Sequence, residues 1–153
     1  MAERNLRVFL DSNVLISGLI SDRGAPRLLL DILSLRLPVL TAVTGAYNIA
    51  EVERNLSVRL PDALPVFRAV LSLMSVEMIP LPGKADLRRW AGSTADKDAP
   101  VLASAFMGKA DVLVTGDKRH FPKGRRPGQP FEILSPAEFV DEVLPGFLKK
   151  FVP

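Results

Sequence analysis

Three acidic residues stand out in this chain because each sits where an apolar strand ends or a helix begins, Asp11, Asp98 and Asp117, and a fourth, Glu51, lies on the polar stripe of a predicted helix. Val8-Phe9-Leu10 runs into Asp11-Ser12-Asn13, and Val112-Leu113-Val114-Thr115 runs into Gly116-Asp117. Carboxylates at the carboxyl ends of buried parallel strands face the crevice where open α/β sheets bind ligands. If the four converge, two carboxylates about 5.5 Å apart repel by roughly 3 kcal/mol at an effective dielectric near 20, and a dication relieves that strain. An all-oxygen donor set selects Mg²⁺ or Mn²⁺ over zinc. Ca²⁺ is disfavoured because the chain has no EF-hand loop. Such an ion lowers the pKa of bound water and stabilises charge at phosphorus, so the implied chemistry is phosphodiester hydrolysis.

Each acid also has a plainer use. Asp11 suits the N-cap of the following helix, Asp98 the start of its own helix, and Asp117 a turn after Gly116. Glu51 could be an ordinary exposed helix residue, with Glu53 two positions on. Other chemistries are poorly supplied. The chain has no cysteine and one histidine, which excludes thiol nucleophiles, Cys-ligated zinc and disulfides, and it has no G-x-S-x-G elbow.

Elements must then bring these residues together. Strand-like runs recur near residues 7–10, 38–43, 76–80, 111–115 and 131–134, separated mostly by helical patterns, an alternation that implies parallel pairing. Val14, Leu15 and Ile16 begin a helix after the first strand, and Leu28, Leu29, Ile32 and Leu33 mark a second. From Ala46 to Leu56, Ile49, Val52 and Leu56 share one face while Asn48, Glu51 and Asn55 form a polar stripe on another. Val66, Val70, Leu71 and Met74 predict a further helix, and Pro80, Pro82 and Gly83 a loop. Asp98 to Met107 reads as a helix with Pro100 in its first turn. Ser135-Pro136-Ala137-Glu138 is a capping box opening a last helix through Val143. Trp90 and Phe106 read as core or loop anchors.

With 153 residues, 48% of them hydrophobic, the chain is expected to form a single domain over residues 1–153 with a core that needs no staple. No export signal or membrane span is expected, so a soluble, cytoplasmic protein is anticipated. The net charge is +3 and the pI near 9.5. Lys118, Arg119, Lys123, Arg125 and Arg126 crowd beside Asp117, where they form either a solvated loop or a track for a phosphodiester backbone. In the latter case binding should weaken steeply with salt while Asp-to-Asn changes abolish cleavage. His120 could contact phosphate or stack on a base, or simply lie on the surface.

The motifs Asp11-Ser12-Asn13-Val14-Leu15-Ile16-Ser17, Glu51, Asp98-Ala99-Pro100-Val101-Leu102-Ala103-Ser104-Ala105 and Val114-Thr115-Gly116-Asp117-Lys118 resemble the four motifs of PIN-domain ribonucleases. More narrowly, the chain resembles the bacterial PIN-family toxins of toxin–antitoxin systems over nearly its whole length. The resemblance implies a three-layer α/β/α fold with a parallel sheet in the order 3-2-1-4-5. It also implies cleavage of single-stranded RNA by one or two Mg²⁺ or Mn²⁺ ions held by Asp11, Glu51, Asp98 and Asp117. Asn13 and Thr115 would orient ligands or water, and Asp96 sits where relatives often carry an additional acid. Lys97 and Ala99 occupy a stretch that is often more acidic. An antitoxin partner is implied, and a homodimer is compatible with the apolar tail Phe147-Leu148-Lys149-Lys150-Phe151-Val152. Two other readings stay open: a non-catalytic PIN-fold module that binds RNA or protein, and a haloacid-dehalogenase-like phosphatase. The latter needs a second Asp two residues after Asp11, where this chain has Asn13.

Overall fold

Apolar residues alternate faces along the short central strands, and this alternation builds the molecule in three layers. The computed structural model describes residues 5–92, 94–125 and 128–149. Its core is a five-stranded sheet in the order β3-β2-β1-β4-β5, formed by β1 (Leu6–Leu10), β2 (Leu40–Gly45), β3 (Glu77–Ile79), β4 (Val112–Val114) and β5 (Glu132–Leu134). Every pairing is parallel. The expected strand order is therefore observed.

The central strands are buried on both faces, as a parallel sheet covered by helices requires. Val8, Leu10, Ala42, Val112, Val114 and Leu134 belong to one apolar cluster, with Leu29, Leu33, Val52, Leu56 and Phe67 from the helices on that side. Phe9, Val43, Leu113 and Ile133 point the other way, into a second cluster with Ile79, Trp90, Leu102 and Phe131. The first helical layer carries α1 (Ser12–Ile20), α2 (Ala25–Ser34), α3 (Ala46–Arg59) and α4 (Leu64–Leu73); the second carries α5 (Lys84–Arg88) and α6 (Ala99–Met107). Trp90 anchors that second layer, with Phe106 edge-on at 6.1 Å and Phe131 tilted at 5.9 Å.

The capping box forms as expected. Ser135 N–H donates to Glu138 Oε1 at 2.7 Å and Glu138 N–H donates to Ser135 Oγ at 3.1 Å. The helix it opens does not stop at Val143. Its first turn, α7 (Pro136–Glu138), passes through a π-helical turn at Phe139–Val143 into α8 (Leu144–Leu148), which packs Phe147 and Leu148 against the first cluster. The rest of the apolar tail, from Lys150 on, lies outside the described residues. Helix α5 is a second difference: it follows the Pro-rich loop where no helix was expected, with Asp86 accepting from the Gly83 N–H at its start. Among the described residues no helix is long and apolar enough to cross a membrane.

Two backbone features aim the site. The register pairs Leu10 with Val114, so the next residues on each strand, Asp11 and Thr115, emerge side by side at the sheet's carboxyl edge. Chain connections leave β1 toward β2 on one side and reach β4 on the other, which makes the gap between β1 and β4 the switch point where such sheets bind ligands. Where β2 turns into α3, Gly45 lies so close to α6 that a Cβ would stand 2.9 Å from both Asn48 Oδ1 and Ser104 Oγ. Overpacking of this kind costs about 1–3 kcal/mol. Gly45→Ala is therefore expected to lower the melting temperature by several degrees; an unchanged melting temperature would show that α3 and α6 are not held at this distance.

Candidate functional site

Asp11 ends the central strand with its side chain only 4% exposed. Four donors converge on that carboxylate. Oδ1 accepts from the Ser12 N–H at 2.8 Å and Asn48 Nδ2 at 3.1 Å; Oδ2 accepts from Thr115 Oγ1 at 2.7 Å and Asn13 Nδ2 at 3.2 Å. The Ser12 bond is the N-cap of α1, so the plainer reading of Asp11 is also true and accounts for one of the four. Thr115 Oγ1 accepts in turn from the Asp117 N–H at 3.0 Å, and Asn13 Oδ1 from the Gly116 N–H at 2.8 Å. These bonds couple the ends of β1 and β4.

Burial is the largest influence on Asp11 and pushes its carboxyl up, to about 6; the Thr115 and Ser12 bonds oppose this, while the charges of Glu51 and Asp117 add to it. Desolvation thus outweighs the donors, and the acids sense one another. Asp117 is displaced the other way. Burial would raise its carboxyl, but the His120 side chain, the His120 backbone and charge and the Arg119 backbone together hold it below the usual range. The His120 Nδ1 lies 2.6 Å from Asp117 Oδ2.

Asp98 occupies the N-cap position of α6 yet makes no side-chain capping bond. Its carboxylate is buried and Oδ2 has no hydrogen-bond partner among the described residues. A buried, unpaired carboxylate oxygen costs several kcal/mol in order of magnitude unless something electropositive meets it. Glu51 and Asn55 project from the polar stripe of α3 into the same space. The outcome is a cavity of about 350 Å³ lined by Asp11, Glu51, Asp98 and Asp117, with Asn13, Tyr47, Lys97, His120 and Phe121 also in its wall.

All four acids anticipated from the sequence therefore share one cavity. They do not yet close on a single point: among the described residues no three acidic or imidazole side chains form a ready-made cation-holding cluster. Asp11 is turned into its donors and Asp117 toward His120. The donor chemistry nevertheless fits a hard divalent ion, since the wall offers carboxylate oxygens and Asp98 Oδ2 has no hydrogen-bond partner among the described residues.

Asp96 is exposed in the turn before α6 and does not line the cavity. In the basic segment, Lys118 pairs with Glu138 at 3.0 Å, and Lys123 with Glu138 at 3.3 Å and Glu142 at 3.1 Å. The Ser135 backbone N–H, with those two lysines, holds the Glu138 carboxyl down to about 2 despite partial desolvation. Arg119 and Arg125 are exposed; Arg126 lies outside the described residues. Asn48 is what sequence reasoning missed. Its spacing places it on the polar stripe, but it is fully buried and donates to both Asp11 and Ser12. The one available signal was an asparagine a helical turn before Glu51.

Comparison with known proteins agrees with this fold. A family profile described as PIN domain matches residues 7–119. The VapBC-1 structure from nontypeable Haemophilus influenzae superposes with a TM-score of 0.60 at 16% identity, covering 86% of this chain and 99% of that one. A toxin–antitoxin complex from Klebsiella pneumoniae gives 0.56 at 20% identity, over 84% and 97%. VapBC2 from Rickettsia felis, bound to a DNA fragment from its promoter, gives 0.56 at 14% identity, over 85% and 98%. At such identities the likeness is one of fold. No curated protein sequence matches the chain.

The raised Asp11 carboxyl has a consequence for stability. Its folded value of about 6 lies above the ordinary 3.8, so the folded state binds this proton more tightly than the unfolded chain does. The penalty for ionising it grows as pH rises from about 4 to about 6 and is complete above that, at a size on the order of 3 kcal/mol. Asp11→Asn carries no such penalty. Without divalent ions, the stability of the variant relative to wild type is expected to climb between pH 4 and 6.5 and then level off in denaturant titrations; a pH-independent difference would contradict the burial of this charge.

Proposed function

The chain belongs to the PIN domain family, and from that premise we propose that it is a metal-dependent endoribonuclease that hydrolyses phosphodiester bonds of single-stranded RNA. The observation that carries this reading is the gathering of Asp11, Glu51, Asp98 and Asp117, from four separate segments, into one cavity wall. Asp98 Oδ2, buried with no hydrogen-bond partner among the described residues, gives that wall an unmet demand for positive charge.

In this reading Asp11, Glu51, Asp98 and Asp117 would hold Mg²⁺ or Mn²⁺, with Asp11 and Asp98 the buried members of the set. When bound, the ion supplies Lewis acidity at phosphorus and an activated water. The chain's own residues do the rest. Asn13, Asn48 and Thr115 hold the Asp11 carboxylate in one orientation through its four bonds, as supporting hydrogen bonds do for ligands generally. The apolar flank of the cavity, Ile16, Val101 and Phe121, limits water around the reacting group. Arg119 and Arg125, exposed in the segment that follows Asp117 in the chain, draw in the RNA backbone, joined by Lys118 and Lys123 when their ion pairs open, since exposed pairs are worth about 0–1 kcal/mol.

We extend the proposal to biology: the protein is the toxin of a toxin–antitoxin pair and acts in the cytoplasm, neutralised by a protein partner. The support is that the similar structures are themselves VapBC or toxin–antitoxin complexes. A haloacid-dehalogenase-like phosphatase no longer competes, because the family is the PIN domain.

Purified protein is expected to cleave single-stranded RNA in Mg²⁺ or Mn²⁺, to lose all activity in EDTA and to regain it on adding either ion. Asp98→Asn should lower kcat at least about a hundredfold, more than 2.7 kcal/mol in the barrier, with a near-wild-type melting temperature. Cleavage that survives EDTA, or a fully active Asp98→Asn enzyme, would refute the metal-dependent mechanism.

A further inference from the structure

A pocket of four carboxylates must accept a phosphodiester, itself an anion, and the positive charge anticipated for that purpose is mostly directed elsewhere. Lys118 and Lys123 are paired with Glu138 and Glu142. Arg119 and Arg125 are exposed and not part of the cavity wall. Among the described residues, a single lysine or arginine lines the cavity: Lys97. It precedes Asp98, its side chain is exposed rather than sunk in the fold, and no carboxylate lies within ion-pairing distance of it among the described residues.

The backbone of this residue is tied to α3, which also carries Glu51. Tyr47, one turn before Glu51 on α3, donates from its hydroxyl to the Lys97 carbonyl at 3.3 Å. Tyr47 itself feels the pocket: burial is the main cause of its raised phenol, followed by the charge of Glu51, with Asp98 and Asp11 adding to it. The turn carrying Lys97 is therefore held to α3 beside the acidic cavity, with an exposed cationic side chain that has no ion pair among the described residues.

We propose that Lys97 is a substrate-binding residue whose ammonium receives a non-bridging phosphate oxygen of the RNA at the mouth of the acidic cavity, and that it supplies the fixed positive charge there. The proposal rests on the nuclease reading for its substrate, but its charge can be tested separately. An unpaired ammonium beside the carboxylates must also oppose a divalent cation in the same cavity.

Three proteins decide it: wild type, Lys97→Met and Lys97→Arg. In EDTA, binding of a fluorescent single-stranded RNA oligonucleotide is expected to weaken at least fivefold in Lys97→Met. The slope of log affinity against log salt should become shallower by about 0.7, the value for one lost phosphate contact on a single strand. Mn²⁺ binding without RNA, followed by electron paramagnetic resonance, should tighten about threefold or more in Lys97→Met, the opposite of what damage to the site would do. Lys97→Arg should keep wild-type RNA affinity, salt slope and Mn²⁺ affinity to within about twofold. Unchanged RNA binding, salt slope and Mn²⁺ affinity in folded Lys97→Met protein would overturn the assignment, as would a Lys97→Arg protein that behaves like Lys97→Met. A wild-type protein that shows these Lys97 effects but cleaves no RNA would sink the nuclease reading and leave the assignment of Lys97 standing.

Discussion

Everything at the carboxyl edge of the sheet depends on one buried charge. Asp11 stands at the end of the central strand, 4% exposed, where an isolated carboxylate would be very costly to keep ionised. The fold compensates with donors drawn from different elements: Ser12 and Asn13 on α1, Asn48 on α3 and Thr115 beyond β4. That compensation is incomplete, since burial still raises the carboxyl to about 6. On the reading proposed above a divalent cation would meet the remaining deficit, and it would equally serve Asp98, whose Oδ2 is buried with no hydrogen-bond partner among the described residues.

The demands of that charge explain features that look merely structural. Register matters because Leu10 must pair with Val114 for Thr115 to reach Asp11. Gly45 matters because α3 and α6 approach there, beside Asn48, which donates to Asp11. Two apolar clusters, one on each face of the sheet, supply the stability that offsets the cost of burying charge at that edge.

Much of this was readable in the residues alone. Short apolar runs alternating with helical periods implied a parallel sheet, and the position of Asp11 and Asp117 just beyond such runs implied a common edge. Ser135 and Glu138 announced their capping box by spacing. What escaped was set by distance in space rather than by local pattern. The stripe of Asn48, Glu51 and Asn55 showed a polar face but not that its first member is buried against Asp11. The crowding of Lys118 and Lys123 suggested free positive charge, because Glu138 and Glu142 lie too far along the chain for local pattern to reveal the pairing. Helix α5 and the π-helical turn at Phe139–Val143 escaped for a similar reason: packing decides such short segments, and intrinsic propensity is a weak prior for them.

The central claim is that acids distant in the chain form a single cation site built around Asp11 and Asp98. Anomalous diffraction at the manganese edge from crystals grown or soaked in Mn²⁺ tests it most directly. The account predicts a peak inside the acid-lined cavity, coordinated by oxygens of both Asp11 and Asp98. A fully occupied Mn²⁺ elsewhere on the protein with this cavity empty, or an ion here that touches neither residue, would contradict it.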